Sequence, residues 1–538
     1  MIQMSGSNQN KRLLYVLLLV FWSNQGDATA EPGRQQPTPL KTCVGRPKAE
    51  TCQGPICGTH CPDGPVEVCG EKGYVIKPRK YRAFCGIPYA KPPIGALRFK
   101  RPVPGEPWND YRDGSWMPPG CPQFNILDIA EGKENISTVG QEDCLFLNVY
   151  VPKIAAPVTY LPVMVFIHGG SFTWGDIKNY FADKLMTRDI ILVTIQYRLG
   201  ILGFFSTGDE VAAGNLALKD QELSLRWIQD NIAHFGGDPS MVTIFGESAG
   251  GASVHAQLIN PQAKGLFSRA ILQSGTAFLL ENLLPMNHQE NAFQLATRLG
   301  CNIENEGYGH RSEVLLKCLQ EVPAMSFVTI IASFFEWGNL PYAWSPRIGE
   351  TSLPGAPSQL FRDGKYHMVD IMMGINEHEG GYIAKEFYIM PNAFQDIATN
   401  FLNIGHLLFT LPKHEKDAAR QMFQYYLGGI REYTEDDADG LTEMFGDYYH
   451  NIPHDYSIEL HARDALYGKN IYAYELKHKG DEGLISLMAP HIGKDYVNHG
   501  DDLFYLFKFS PNLDSNNPET KKLESIMLDL WTNFATHG

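Results

Sequence analysis

Short apolar runs rich in β-branched residues recur along most of this chain, separated by longer stretches with helical spacing. Val163–Ile167, Ile190–Ile195, Val242–Phe245, Val369–Met373 and Ile471–Leu476 are the clearest of them. Such runs, bounded by turn residues, read as buried strands, and strands alternating with helices predict a mainly parallel sheet covered on both faces. The most regular helix is expected from about Leu218 to Phe235, with Leu223, Trp227, Ile228, Ile232 and Phe235 on one stripe and Gly236-Gly237 closing it. Its role is packing. A second helix-rich stretch, from about Phe394 to Leu427, lies between two predicted strands and reads equally as a roof over a substrate pocket or as a further core layer. Neither a fixed-period repeat nor a Pro/Ser/Gly linker divides residues 80–538, which therefore read as one continuous α/β body.

The beginning of the chain is different. Residues 1–30 read as a signal peptide: Lys11-Arg12, an apolar run from Leu13 to Trp22, then Ala28-Thr29-Ala30 as a small-residue cleavage site. That run is too short to span a bilayer and no hydrophobic tail closes the chain, so a secreted, extracellular protein without a stable membrane anchor is expected. Residues 31–75 are rich in Pro, Gly and Cys, and disulfides rather than a core would have to order them. The ten cysteines are expected to form disulfides and not metal sites. Cys43, Cys52, Cys57, Cys61, Cys69 and Cys85 leave their pairing open, and a zinc reading of Cys57 and Cys61 lacks two further close ligands. Cys121 with Cys144 and Cys301 with Cys318 form two local couples, each of which would stabilise the fold by about 3 kcal/mol.

Charge narrows the partners. A formal net charge of −15 disfavours nucleic acid or an anionic membrane. Glu435–Gly440 resembles a calcium loop only in outline, because Gly446 stands where the bidentate glutamate belongs; it reads as an acidic helix start. Asn135-Ile136-Ser137 is a sequon in a polar stretch, which makes Asn135 a glycosylation candidate.

The candidate chemistry sits at strand ends. Gly246-Glu247-Ser248-Ala249-Gly250 directly follows the run Val242–Phe245 and precedes a small-residue helical segment, the setting of a nucleophile elbow with Ser248 at its tip. His168-Gly169-Gly170-Ser171-Phe172 follows Val163–Ile167, where backbone N–H groups for an oxyanion belong. Serine is a weak nucleophile unless an imidazole takes its proton and a carboxylate orients that imidazole. After the run ending at Met373, Glu377 and Glu379 both qualify as the acid; after Ile471–Leu476, His478, His491 and His499 all qualify as the base. Spacing does not choose among them.

Several motifs in register carry a resemblance. Phe84 to Pro102, with Gly86-Ile87-Pro88-Tyr89-Ala90 and Leu97-Arg98-Phe99, is similar to the opening of the type-B carboxylesterase and cholinesterase family. Glu142–Asn148, Phe235–Pro239, the serine elbow and Gln273-Ser274-Gly275 resemble its further motifs, and the pattern is nearest to secreted invertebrate-type carboxylesterases. The resemblance implies an α/β-hydrolase fold: a central, mostly parallel sheet flanked by helices, with helical insertions over the active site, spanning 76–538 after the short Cys-rich extension. It also implies Glu379 as the acid and His499 as the base, with Ser248 as the nucleophile. Gly170, Ser171 and Ala249, with Gly169 beside them, would form the oxyanion hole. It supports the couples Cys121–Cys144 and Cys301–Cys318. The implied activity is hydrolysis of a small-molecule ester with no cofactor, and turnover rising with pH through about 6 to 7 as His499 loses its proton.

Departures from the family pattern narrow the substrate. No tryptophan lies between Cys121 and Cys144, where cholinesterases carry one for the choline cation, so neutral and fairly hydrophobic esters are expected. Ser171 replaces a family glycine, and Glu247 replaces the glutamine of insect juvenile hormone esterases. Glu247 weighs against a terpenoid hormone esterase of the juvenile hormone or methyl farnesoate type, which stands as an alternative. A non-catalytic adhesion or signalling protein, which the Cys-rich extension keeps open, stands as another. The family's members run on past the position of Gly538, which leaves two readings open: a truncated C-terminus, or a chain without the last packing elements.

Overall fold

Val163, Val165 and Ile167 turn to one face of their strand and Met164 and Phe166 to the other, and all five are buried. This double burial is why the strand reads as an unbroken apolar run. A computed structural model describes residues 40–61 and 79–538, apart from 126–134 except Asp128, 155–159, 284–286, 304–309, 482–494 except Gly483 and Gly493, 510–514, and single residues 339, 391 and 413. The expected signal peptide and His491 lie outside the described residues.

Among the described residues the main sheet has nine strands: β1 (Thr59–Cys61), β2 (Tyr81–Pro88), β3 (Phe146–Pro152), β4 (Leu161–Ile167), β5 (Ile191–Ile195), β6 (Gly237–Glu247), β7 (Arg269–Gln273), β8 (Asp370–Asn376) and β9 (Ile471–Leu476). Their order is β9-β8-β7-β6-β4-β5-β3-β2-β1. The six strands from β9 to β5 are mutually parallel, and β3, β2 and β1 add antiparallel pairs at the far edge. Residues 55–61, assigned from the sequence to the Cys-rich extension, are thus partly sheet: Pro55–Cys57 pairs with Lys48–Glu50, and β1 continues the main sheet. Cys43 is bonded to Cys57, Cys121 to Cys144 and Cys301 to Cys318.

Helices cover both faces. The predicted packing helix is α1 (Leu216–Asn231), continued by one 3-10 turn to Phe235; Gly236 closes it at φ 90° and Gly237 already belongs to β6. With α2 (Ala249–Ile259) it covers the face of Val163 and Val165. The other face is covered by α9 (Pro518–His537), whose Trp531 is buried and donates its indole N–H to Gln273 Oε1 at 3.2 Å. Two of the family-like motifs serve this frame. Arg98 makes a bidentate pair with Glu142, both N···O distances 2.6 Å, and also donates to the carbonyl of Leu319.

Between α2 and α9 the chain adds α3 (Ala277–Leu283) and, after β8, α4 (Gly381–Ile389), α5 (Ala393–Leu408), α6 (Lys416–Leu427), α7 (Ala438–Gly446), a π turn (Asp447–Asn451) and α8 (Ile452–His461). The stretch of uncertain role is α5 and α6, and it has a core of its own, with Phe401, Phe409, Phe423 and Phe445 packed together. The acidic stretch after Thr434 starts a helix through a capping box.

Candidate active site

Ser248 stands between β6 and α2 at φ 58° and ψ −123°, a left-handed conformation that costs energy for a residue with a side chain. The surrounding glycines make this turn sterically feasible. A Cβ on Gly246 would meet Ile167 O at 2.6 Å, and one on Gly250 would meet the same oxygen at 2.0 Å. Ser248 itself is half-buried, so its hydroxyl reaches a space open to solvent.

The oxyanion candidates meet it from β4. A Cβ on Gly169 would lie 2.7 Å from the Glu247 carbonyl oxygen and 3.1 Å from Ser248 Cβ, so this loop rests against the elbow. Gly170 has φ 105°, and Ser171 has φ 51°, which is the physical reason a glycine suits that position. Among the described residues the N–H groups of Gly170, Ser171 and Ala249 have no acceptor. His168 supports the loop rather than reacting: its Nδ1–H donates to the Gly169 carbonyl at 2.9 Å and its ring stacks on Tyr197 at 4.4 Å.

The acid and the base come together through backbone pairing. His378 N–H donates to the Val497 carbonyl at 2.9 Å, and the Asn376 side chain donates to the Asn498 carbonyl at 2.7 Å, stitching the two loops side by side. Glu379 Oε2 then lies 2.6 Å from His499 Nδ1, and Glu379 Oε1 accepts from the Asn376 N–H at 2.7 Å. Both side chains are buried. Of the alternatives left open by spacing, Glu377 faces Lys477 and His478 faces Thr520. His499 Nε2 lies 3.2 Å from Glu247 Oε1, and the Ser248 hydroxyl makes no hydrogen bond to it in this structure.

Electrostatics follow from burial and pairing. Burial alone would raise Glu379, but the neighbouring His499 brings it down to about 2. Burial alone would lower His499, yet the Glu247 and Glu379 carboxylates outweigh it and hold the ring above its usual range. Burial pushes Glu247 up. Asp502, which accepts from Gln273 Nε2 at 2.7 Å and from the Tyr474 hydroxyl at 3.0 Å, is raised by burial to about 6.

Sequence reasoning missed the groups that frame His499. The Tyr382 ring stacks on it with centroids 4.8 Å apart, and the His450 ring lies 4.5 Å away. His450 donates from Nδ1 to the Ser274 carbonyl at 2.9 Å, and burial lowers it to about 4, which keeps it neutral. Neither residue belongs to a motif; Glu247, inside the serine pentapeptide, did carry a signal. Glu379, His450 and His499 also form a group whose ligand atoms lie within 4.8 Å of one another, with Glu379 and His499 bonded to each other at 2.6 Å.

The sheet order and the strand-end placement of these residues define an α/β-hydrolase fold. The family model described as Carboxylesterase family matches residues 55–538. The chain is 37% identical over 541 residues to rat (Rattus norvegicus) pyrethroid hydrolase Ces2e, covering 98% of this chain and 85% of that protein. It is 35% identical over 483 residues to the medium-chain fatty acyl-CoA hydrolase precursor of Anas platyrhynchos, covering 87% and 83%. Among solved structures, juvenile hormone esterase from Manduca sexta matches with a TM-score of 0.75 and 28% identity, covering 91% of this chain and 90% of that one. The chain belongs to the carboxylesterase family and is a carboxylic ester hydrolase.

Proposed function

We propose that this protein is a secreted serine carboxylesterase that hydrolyses neutral, fairly hydrophobic esters through an acyl-enzyme on Ser248. Ser248 Oγ bonds to the ester carbon while its proton passes to His499 Nε2. Glu379, on Nδ1, fixes the tautomer and offsets the ring's charge. The N–H groups of Gly170, Ser171 and Ala249, with Gly169 leaving room for them, receive the oxyanion, each worth about 3 kcal/mol in the transition state. The bond to the alcohol oxygen breaks and the alcohol departs with the proton from His499. Water, deprotonated by the same ring, then attacks the acyl carbon, frees the acid and restores Ser248.

One observation carries this reading: the 2.6 Å Glu379–His499 contact stands beside an elbow serine that adjoins acceptor-free backbone N–H groups. The names of the relatives acting on pyrethroids and on a medium-chain fatty acyl-CoA fit an apolar substrate. Likeness to juvenile hormone esterase favours the terpenoid-ester reading as second choice, against which Glu247 stands. Secretion is supported by the three disulfides, and no single helix among the described residues is long and apolar enough to cross a membrane. Asn135 is exposed and is proposed as a glycan acceptor. The test is Ser248→Ala assayed with a short-chain aryl ester: hydrolysis should vanish, and undiminished turnover refutes the mechanism.

A further inference from the structure

One acidic side chain beside the site has no part in the steps above. Glu386 lies four residues after Tyr382 on α4, so both side chains rise from one face of the helix, a turn apart. Tyr382 is the ring stacked on His499. Glu386 therefore projects from the helix face that carries the ring on His499, one turn further along, and it is half-buried. It acts electrostatically on the phenols of Tyr382 and Tyr449, as does Tyr342. Among the described residues its carboxyl has neither a hydrogen-bond nor an ion-pair partner.

Neighbouring charged groups are engaged elsewhere. On α7, Asp439 accepts from the Tyr496 hydroxyl and Glu443 is exposed. Asp396 of α5 lies 3.2 Å from the Trp337 indole nitrogen, and Asp447 of the π turn accepts from Tyr426 at 2.6 Å. Lys385, next along α4, responds to Lys479 and Asp501. With no cation paired to it among the described residues, burial pushes the Glu386 carboxyl well above the usual range. Such burial favours the protonated, hydrogen-bond-donating form of this carboxyl, which has no acceptor among the described residues.

We propose that Glu386 is a specificity-determining residue that donates a hydrogen bond from its carboxyl to a second oxygen of the substrate, an ether or carbonyl oxygen remote from the scissile ester. The inference rests on the hydrolase reading and names its substrate class: esters whose acyl or alcohol arm carries that extra acceptor. A site with a partly desolvated donor discriminates against an analogue that leaves the donor unpaired.

The test uses p-nitrophenyl alkanoates and isosteres in which one methylene is replaced by an ether oxygen, moved stepwise along the acyl arm, and then alkyl benzoates altered likewise along the alcohol arm. At one position the wild-type ratio of kcat/KM, ether over all-carbon, should exceed that of Glu386→Leu by about fivefold. Glu386→Gln, which keeps an N–H donor, should retain the preference. The wild-type ratio should fall as pH rises and the carboxyl ionises, whereas the Gln variant's ratio stays flat; dividing two esters cancels the His499 titration. Equal ratios in wild type and Glu386→Leu at every position overturn the proposal. Should the Leu variant not fold, a wild-type ratio that does not change with pH overturns it equally. If wild type hydrolyses neither the plain nor the ether esters, the hydrolase reading fails and this inference falls with it.

Discussion

Nε2 of His499 lies 3.2 Å from Oε1 of Glu247, the residue directly before Ser248. The ring that is to accept a serine proton thus has a carboxyl group on each nitrogen, Glu379 on one side and Glu247 on the other. Both favour the charged ring, so His499 holds its proton to a pH above the usual 6.5.

The pH profile follows with a definite sign. Only the neutral ring accepts a proton, so kcat/KM is lost as pH falls through the raised value, and its acid limb should lie above 6.5 rather than at the about 6 to 7 suggested by the sequence alone. Glu247→Gln removes one of the two carboxyl groups and should move the limb down by about one pH unit. A wild-type limb at or below 6.5, unmoved by the substitution, contradicts the pairing.

Glu379→Gln keeps the shape of the acid but removes its charge and allows the wrong tautomer of His499. Turnover of an aryl ester should fall on the order of 10³–10⁴-fold with little change in KM. Glu377→Gln, at the exposed glutamate two residues earlier, should leave kcat within about twofold; the reverse ranking would reassign the acid.

The two neighbouring loop positions should respond oppositely. Gly169→Ala drives a Cβ against the Glu247 carbonyl and Ser248, and should lower kcat/KM by about a hundredfold. Ser171→Gly relieves a left-handed serine at φ 51° that costs about 1–2 kcal/mol, less the extra freedom of glycine in the unfolded chain. Denaturant unfolding should show a gain of about 0.5 kcal/mol with activity retained.

Behind the elbow, a buried chain of hydrogen bonds ties α2 to α3 and α8. Ala277 N–H donates to His255 Nδ1 at 3.0 Å, so His255 Nε2 carries the proton and donates to His461 Nε2 at 2.9 Å; His461 Nδ1 then donates to Asp464 at 3.1 Å, and the Tyr366 hydroxyl donates to the other carboxylate oxygen. Burial and His461 hold the His255 pKa well below 6.5 in the folded state. The unfolded chain then binds more protons below pH 6.5, so unfolding free energy should decline as pH drops below that value. His255→Ala should cost about 3 kcal/mol by stranding the Ala277 N–H and His461. A stability that stays flat from pH 7 to 5 contradicts this.

β4, β5, β6 and β8 were legible because strand segments buried on both faces cannot hide their composition. β9 coincides with an apolar run too, but it is an edge strand whose residues are mostly exposed or half-buried, and β7, with Arg269 and Gln273 at its ends, was not read as a strand. β2 and β3 were legible only as family-like motifs, since Arg82, Cys85, Gly86 and Asn148 interrupt their apolar pattern. α1 showed its stripe, but not that Lys219 and Asp220 on it are buried in ion pairs with Glu350 and Arg198. Ser248 was legible from its glycines. Glu379 and His499 needed the resemblance, because their meeting depends on backbone pairing between loops some 120 residues apart. Tyr382, His450 and Glu386 left no trace, since a helix face turned toward a site has the same periodicity as one turned toward a core.

The most direct measurement is covalent trapping: the protein is treated with a fluorophosphonate, digested, and the labelled peptide is located by mass spectrometry. A single phosphonyl adduct on Ser248, absent from His499→Ala and blocked by prior incubation with an ester, is the predicted result. Adduct on another residue, or none at concentrations that silence the hydrolysis, contradicts the account.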